Sequence, residues 1–184
     1  MPLVGYLQQK SMHINYEFKL KCDDIEALES KLRQCNPRFV GTDHQVDTYF
    51  NVLHGRLKLR EGTIENSLIH YDRINTADAK QSNVSLYHPS DKSLKQVREN
   101  ALGIKIVVDK KRKIYFVDNV KFHFDEVKEL GSFVEVEAIH KDGSIGLEKL
   151  KEQCSFYVQL FDIRKEQFIA ESYSDLLAKK SSTA

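Results

Sequence analysis

The chain has 184 residues, with 28 Lys and Arg set against 27 Asp and Glu, a formal net charge of +1. Near-neutrality argues against a general nucleic-acid or membrane-surface binder, which is basic overall, and no apolar run is long enough to span a bilayer. Cys22, Cys35 and Cys154 lack metal-ligand spacing; they read as reduced, buried thiols of a cytosolic or nuclear protein, and with an N-terminus lacking a signal-peptide pattern a cytoplasmic location is expected.

The first predicted strand runs from about His13 to Cys22. In "INYEFKLKC", residues Ile14, Tyr16, Phe18, Leu20 and Cys22 alternate with Asn15, Glu17, Lys19 and Lys21, the period-2 pattern of a strand with one apolar and one charged face. "CDDIEALESKLRQCN" follows as a helix. Asp23 or Asp24 caps it, Ile25, Leu28, Leu32 and Cys35 repeat at helical spacing, and Asn36-Pro37 stops it. "RFVGTDHQVDTYFNV" reads as a strand pair or a strand with a bend. "HGRLKLREG" and "NSLIHYDRI" continue a β-meander. The polar stretch "NTADAKQSNVSLYHPSD" reads as a mobile loop around one short strand, "VSLYH". "DKSLKQVRENAL" is a helix closed by Gly103. "IKIVVDKKRKIYFV" and "VKFHFDEV" form a hairpin about Asp118-Asn119, and "LGSFVEVEAIH" is the next strand. A helix is expected over residues 144–157 and a short one over "ESYSDLLAKK", with a disordered tail from about 178. Nothing divides the chain, so residues 1–184 form one domain of the α+β class, mainly antiparallel β.

The charged faces carry the functional signal. Arg56, Lys58 and Arg60 share one face of their strand. Lys110 and Arg112 share another, Lys121, His123 and Asp125 a third, and Glu135 and Glu137 a fourth. A half-exposed strand taken singly needs no further explanation. As a set these rows are nearly of one sign each, and like charges two apart on a strand lie only about 7 Å apart. An anionic polyphosphate with a divalent metal reconciles them, with the carboxylates holding the metal and the cations holding phosphate oxygens. Lys111 and Lys113 fall on the opposite face and read as solvated. Asp125 reads either as a metal ligand or as a group that orients Lys or Arg. His123 reads as a hydrogen-bonded wall residue rather than a general base. Tyr49 and Tyr71 read as packing, Tyr71 with stacking on a base or thiazole as the other use.

Six pieces of the chain together resemble the CYTH superfamily, the triphosphate tunnel metalloenzymes. They are "NYEFK" at 15–19, "QVDTYFNVLHGRLKLREG" at 45–62, "LIHYDR" at 68–73, "VVDKKRKIYF" at 107–116, "NVKFHFDEVKELGSFVEVE" at 119–137 and "SYSDLL" at 172–177. Their order is that of the class IV adenylyl cyclase-like branch, related to thiamine triphosphatase. The resemblance implies an eight-stranded antiparallel β tunnel with helices packed outside. It implies metal ligation by Glu17, Glu135 and Glu137, with Asp125 in or near that set, and Mg²⁺ or Mn²⁺ as the cofactor. Lys19, Lys58, Arg60, Arg73 and Arg112 become triphosphate clamps, joined by Arg56 and Lys110, with Glu17, Lys19 and Arg112 closest to the chemistry. The family's Glu-x-Glu-x-Lys signature is here Asn15, Glu17 and Lys19, and an amide oxygen can still ligate a metal, with less charge. The implied ligand is a small-molecule triphosphate, with no nucleic-acid or membrane partner and a monomeric or homodimeric state. Three activities stay open: hydrolysis of tripolyphosphate, a nucleoside triphosphate or thiamine triphosphate; cyclisation of ATP to cyclic AMP and pyrophosphate; and non-catalytic binding of a polyphosphate or nucleotide.

Overall fold

The computed structural model describes residues 11–72, 78–89, 91, 93–140 and 144–183, without the side chains of 11–13 and 183. In chain order the elements are β1 (Ser11–Lys21), α1 (Ile25–Arg33), β2 (Arg38–Phe50), β3 (Arg56–Gly62), β4 (Ser67–Asp72), β5 (Lys80–Tyr87), α2 (Leu94–Leu102), β6 (Ile104–Val117), β7 (Val120–Val127), β8 (Gly131–His140), α3 (Leu147–Leu160) and α4 (Tyr173–Thr183). The eight strands close on one another in the order β1-β5-β4-β3-β2-β6-β7-β8, every pair antiparallel. Closure removes the free edges that an open sheet would present. This is the expected tunnel. Among the described residues no helix is long and apolar enough to cross a membrane.

Alternation decides which side chains enter the lumen. On β1 the apolar set, Phe18 and Leu20, faces outward. It joins Phe122 and Phe124 of β7 and Val134, Val136 and Ala138 of β8 in one buried cluster under α1 and α3. Leu28 and Leu32 close it from α1, and Leu150, Cys154, Tyr157 and Phe161 from α3 and its end. A smaller cluster of Phe50, Leu59 and Leu68 lies beneath Leu94 and Leu102 of α2. With the greasy faces covered by helices, the charged faces of the same strands have only the lumen left. All three cysteines are free thiols.

Local chemistry fixes the element ends. Asp24 caps α1, its side chain accepting from the Ala27 N–H at 3.0 Å. Gly103 ends α2 at φ 71°, a conformation that favours glycine. The bend foreseen in "RFVGTDHQ" is a bulge in one continuous strand, where the β2–β6 register shifts between Phe39 and Gly41.

Three elements differ from expectation. The segment expected as a loop around "VSLYH" contains an eight-residue strand, because β5 has neighbours on both sides, β1 and β4. Pairing overrides its polar sequence. The helix expected over 144–157 is shifted to Leu147–Leu160, starting where Lys149 and Leu150 donate back to the Gly146 carbonyl. The expected disordered tail is instead the continuation of α4 to Thr183. Ser181 and Ser182 donate to the carbonyls of Leu177 and Ala178, and Lys180 donates to the Glu129 carbonyl at 2.7 Å.

Candidate active site

The lumen is a cavity of about 570 Å³, within the range of small-molecule sites. Ser172 and Tyr173, at the start of α4, join the lining. The residues of the turn between β3 and β4, Ile64 to Asn66, line it near Phe116 and Lys121. Three regions of wall differ in charge.

The first is basic. Asp47 on β2 is fully buried and is met by three cations: Lys58 at 2.8 Å, Arg60 with two bonds of 2.9 and 3.0 Å, and Lys110 at 2.7 Å. These cations hold the Asp47 carboxyl well below the usual range despite its burial. For Lys110 burial dominates and drives its pKa well down; Asp47 opposes this, while Arg60, Arg112 and Lys58 add to it. Glu65 extends the network, accepting from Arg60 at 3.0 Å, from Gln45 at 3.1 Å and from Lys121. Its turn is held by Asp43, whose carboxylate accepts the Thr63, Ile64 and Glu65 backbone N–H groups at 2.6 to 3.0 Å.

The second region is acidic. Cross-strand register sets Glu17 directly opposite Glu137 and Lys19 opposite Glu135, while across β8 His123 faces Glu135 and Lys121 faces Glu137. Like charges directly opposite one another on a sheet are destabilising. Glu135 is compensated by Lys19 at 3.2 Å and Arg112 at 3.3 Å. Glu137 is less so: burial, then Glu135 and Glu17, push its carboxyl up to about 7. His123 is 1 % exposed, and burial, then Arg112 and Lys121, push it down to about 3, so its imidazole is neutral. His123 Nε2 and Asn15 Oδ1 are buried without a hydrogen-bond partner. Among the described residues His123, Glu135 and Glu137 bring one nitrogen and two carboxylate oxygens within 4.8 Å of one another. Opposed carboxylates, one with a raised pKa, beside two orphaned polar atoms fit a divalent cation.

The third region, on β4 and β5 with Tyr49 of β2, is uncharged. Ile69, Tyr71, Val84 and Leu86 face the cavity, with Ser67 and Ser82 among them.

The expected site residues fall into place unevenly. Glu17, Lys19, Lys58, Arg60, Lys110, Arg112, Glu135 and Glu137 all line the one cavity. Arg56 does not join Lys58 and Arg60 there; its guanidinium turns to Asp175 of α4 at 2.8 Å. Arg73 lies outside the described residues. The contacts of Asp125 fit its orienting reading. Its oxygens accept from Arg112 at 2.6 and 2.5 Å and from the Tyr173 hydroxyl at 2.7 Å, which leaves it spent on positioning Arg112 rather than on a metal. Lys113 does lie outside the lumen but is not merely solvated, since it pairs with the buried Glu29 at 2.7 Å. Tyr49 and Tyr71 pack in a buried cluster and also face the cavity.

Asp47, Glu65 and Tyr173 are the residues that sequence reasoning passed over; it places Lys121 on a charged face without a role. Asp47 shares strand parity with Tyr49, which hinted at an inward side chain. What makes it central is the register that places it against Arg60, and a single sequence does not carry register.

A closed eight-stranded tunnel with acidic and basic walls defines a protein built to take a polyanion together with a cation. The CYTH domain family model matches residues 13–173, and the chain belongs to that family. It is 24 % identical over 173 residues to a candidate adenylate cyclase, MJ0240, of Methanocaldococcus jannaschii, covering 89 % of this chain and 98 % of that one. The fold is similar to that of a conserved hypothetical protein from Pyrococcus furiosus, with a TM-score of 0.73 at 22 % identity over 88 % of this chain and 99 % of the other. It is also similar to that of a candidate adenylyl cyclase from Hippeastrum, described as revealing a dominant triphosphatase activity. There the TM-score is 0.56 at 13 % identity, over 92 % of this chain and 96 % of the other.

Proposed function

We propose that the chain is a metal-dependent triphosphatase acting on an organic triphosphate held inside the tunnel. The observation that carries this reading is the meeting of two charge systems across one cavity: Lys58, Arg60 and Lys110 gathered on Asp47, and the Glu135–Glu137–His123 group facing them. A polyphosphate chain offers non-bridging oxygens enough to engage both systems at once. The dominant triphosphatase activity described for the Hippeastrum protein supports hydrolysis by the same fold.

Each wall then has a part. Arg60, Lys58 and Lys110 spread over non-bridging phosphate oxygens, Arg60 by its fork and the lysines as point charges. They already sit in place around Asp47, so they cost little reorganisation as charge builds in the transition state. Arg112, locked by Asp125, and Lys19, paired with Glu135 and lying 4.2 Å from the Tyr173 ring centroid, add positive charge between the two systems. Glu135 and Glu137, with Glu17 across the strand pair, would hold Mg²⁺ or Mn²⁺. A bound divalent ion supplies Lewis-acid polarisation of a phosphoryl oxygen.

The uncharged third wall favours an organic group on the triphosphate over inorganic tripolyphosphate, because Ile69, Val84 and Leu86 present apolar surface and the Tyr71 ring presents a face to a base or thiazole. The same wall supports a second reading, cyclisation of ATP, in which the base lies on β4–β5 and a ribose hydroxyl replaces water as the nucleophile. The test is incubation with ATP, thiamine triphosphate and tripolyphosphate with Mg²⁺ or Mn²⁺, measuring orthophosphate, pyrophosphate and cyclic AMP. Orthophosphate from an organic triphosphate supports the proposal, and cyclic AMP with pyrophosphate transfers it to the cyclase. Metal-dependent thermal stabilisation by all three ligands with no turnover reduces the chain to a binding module.

A further inference from the structure

We propose that His123 is a metal ligand, so that the cation site is a nitrogen–carboxylate site that prefers Mn²⁺ to Mg²⁺. This rests on the reading of the acidic wall as a metal site and specifies which ion it takes. The sequence offers His123 only as a wall residue between Lys121 and Asp125. Three features of the structure give it more.

The first is distance. His123 Nδ1 lies 3.4 Å from Glu135 Oε2 and 3.5 Å from Glu137 Oε1. Two donors on one ion with bonds of about 2.1 Å stand roughly 3.0–3.4 Å apart, depending on geometry. The nitrogen is therefore already near the spacing of a shared ion from both oxygens. The second is the hydrogen-bond inventory. A buried imidazole in a protein wall is normally satisfied at both nitrogens, yet Nε2 is buried with no partner, and Nδ1 has only the long contacts to carboxylates. The weakly used Nδ1 is the atom that an ion shared with Glu135 and Glu137 would engage. The third is charge. The ring stands against two carboxylates, Glu135 and Glu137, whose negative charge a cation held among the three side chains would balance. The adjoining Asn15 Oδ1 is orphaned in the same way, in a side chain 4 % exposed, and its amide nitrogen is 3.5 Å from Glu137 Oε2.

Ligand type sets the preference. Mg²⁺ takes oxygen donors in near-ideal octahedra and gains little from imidazole. Mn²⁺ accepts carboxylate and imidazole together, and affinity for nitrogen-containing sites rises along the first-row divalent series.

The experiment uses the full-length protein loaded with Mn²⁺ alone. Pulsed electron paramagnetic resonance should show a directly coordinated ¹⁴N, replaced by a ¹⁵N signal when histidine is isotopically labelled. The signal should vanish in His123→Gln and survive in His88→Gln, whose ring also lines the cavity. Calorimetric titration should show Mn²⁺ affinity falling roughly 10-fold or more in His123→Gln while Mg²⁺ affinity changes less than about threefold. No nitrogen coupling in the wild-type protein overturns the proposal without any variant needing to fold. So does an equal loss for both ions, which would mean that His123 only positions Glu135. Loss of Mn²⁺ binding in Glu137→Gln with none in His123→Gln sinks the histidine assignment and leaves the metal site standing. Mn²⁺ binding unaffected by either change removes both.

Discussion

On β2, β3 and β6 three cations close on one carboxylate, Asp47; on β1, β7 and β8 three carboxylates, Glu17, Glu135 and Glu137, lie together beside His123, with Lys19 and Arg112 both on Glu135. The basic region carries its own counter-ion and holds its shape without a ligand. The acidic region is compensated unevenly, and the imbalance shows in the raised Glu137 carboxyl and in the orphaned atoms of Asn15 and His123. Under the proposed function, the first region is a preformed clamp and the second the place for a cation. A preformed clamp is the cheaper way to stabilise developing charge, because its dipoles need not reorient.

The comparison breaks most sharply if the acidic region is neutralised. Glu135→Gln with Glu137→Gln should reduce metal-dependent turnover by on the order of 10³ or more, while circular dichroism shows the fold intact. Turnover within tenfold of wild type would remove the metal from the mechanism. The matching change in the basic region acts on stability instead. Asp47→Asn leaves Lys58, Arg60 and Lys110 crowded without their shared anion, a change that typically costs about 3–5 kcal/mol when one partner of a buried pair is removed. A melting temperature unchanged from wild type would show that the cluster is not held by Asp47, and added tripolyphosphate should stabilise this variant more than the parent.

Period-2 alternation made much of this legible. It separated Glu17 and Lys19 from Phe18 and Leu20, and Glu135 and Glu137 from Val134 and Val136, and the structure keeps that division. What alternation cannot supply is register, and register is what joins Asp47 to Arg60 and sets Glu17 against Glu137. Nor can it see the turns. Glu65 reaches the lumen because Asp43 gathers its backbone, and Asp43 is twenty-two residues away in sequence. Arg56 has the same parity as Lys58 and Arg60, but it sits at the end of β3 where α4 brings Asp175 within reach. That contact depends on the packing of the C-terminal helix.

Two smaller effects sharpen the same contrast. Arg60→Ala should weaken binding of a triphosphate by roughly 10–100-fold and of a monophosphate by far less, since only the longer anion uses the whole clamp. Equal losses, measured calorimetrically, would deny that Arg60 grips a chain of phosphates. The acidic region should declare itself in a pH series on metal-free protein. Glu137 has a folded-state pKa of about 7, above its ordinary value, so the folded form holds the proton more tightly than the unfolded one. Its contribution is fully present below the ordinary carboxyl range and is lost as pH rises through about 7. Glu137→Gln should flatten that decline and raise the melting temperature at pH 8. Saturating Mn²⁺ should do the same for the parent protein.

The smallest effect tests whether the lumen and the outer surface are separate systems. Lys113 belongs to β6, one residue from Arg112, but points outward to Glu29 on α1, which also accepts from Tyr115 and Arg33. Its side chain is about two-fifths exposed, and a pair of that kind contributes about 1 kcal/mol or less. With Tyr115 and Arg33 still bound to Glu29, Lys113→Ala should lower the melting temperature by about 2–4 °C at most and leave turnover and metal affinity unchanged. A loss of turnover without a matching loss of stability would mean that α1 communicates with Arg112 through the strand. The division between a charged interior and a helix-covered exterior would then no longer describe how this tunnel works.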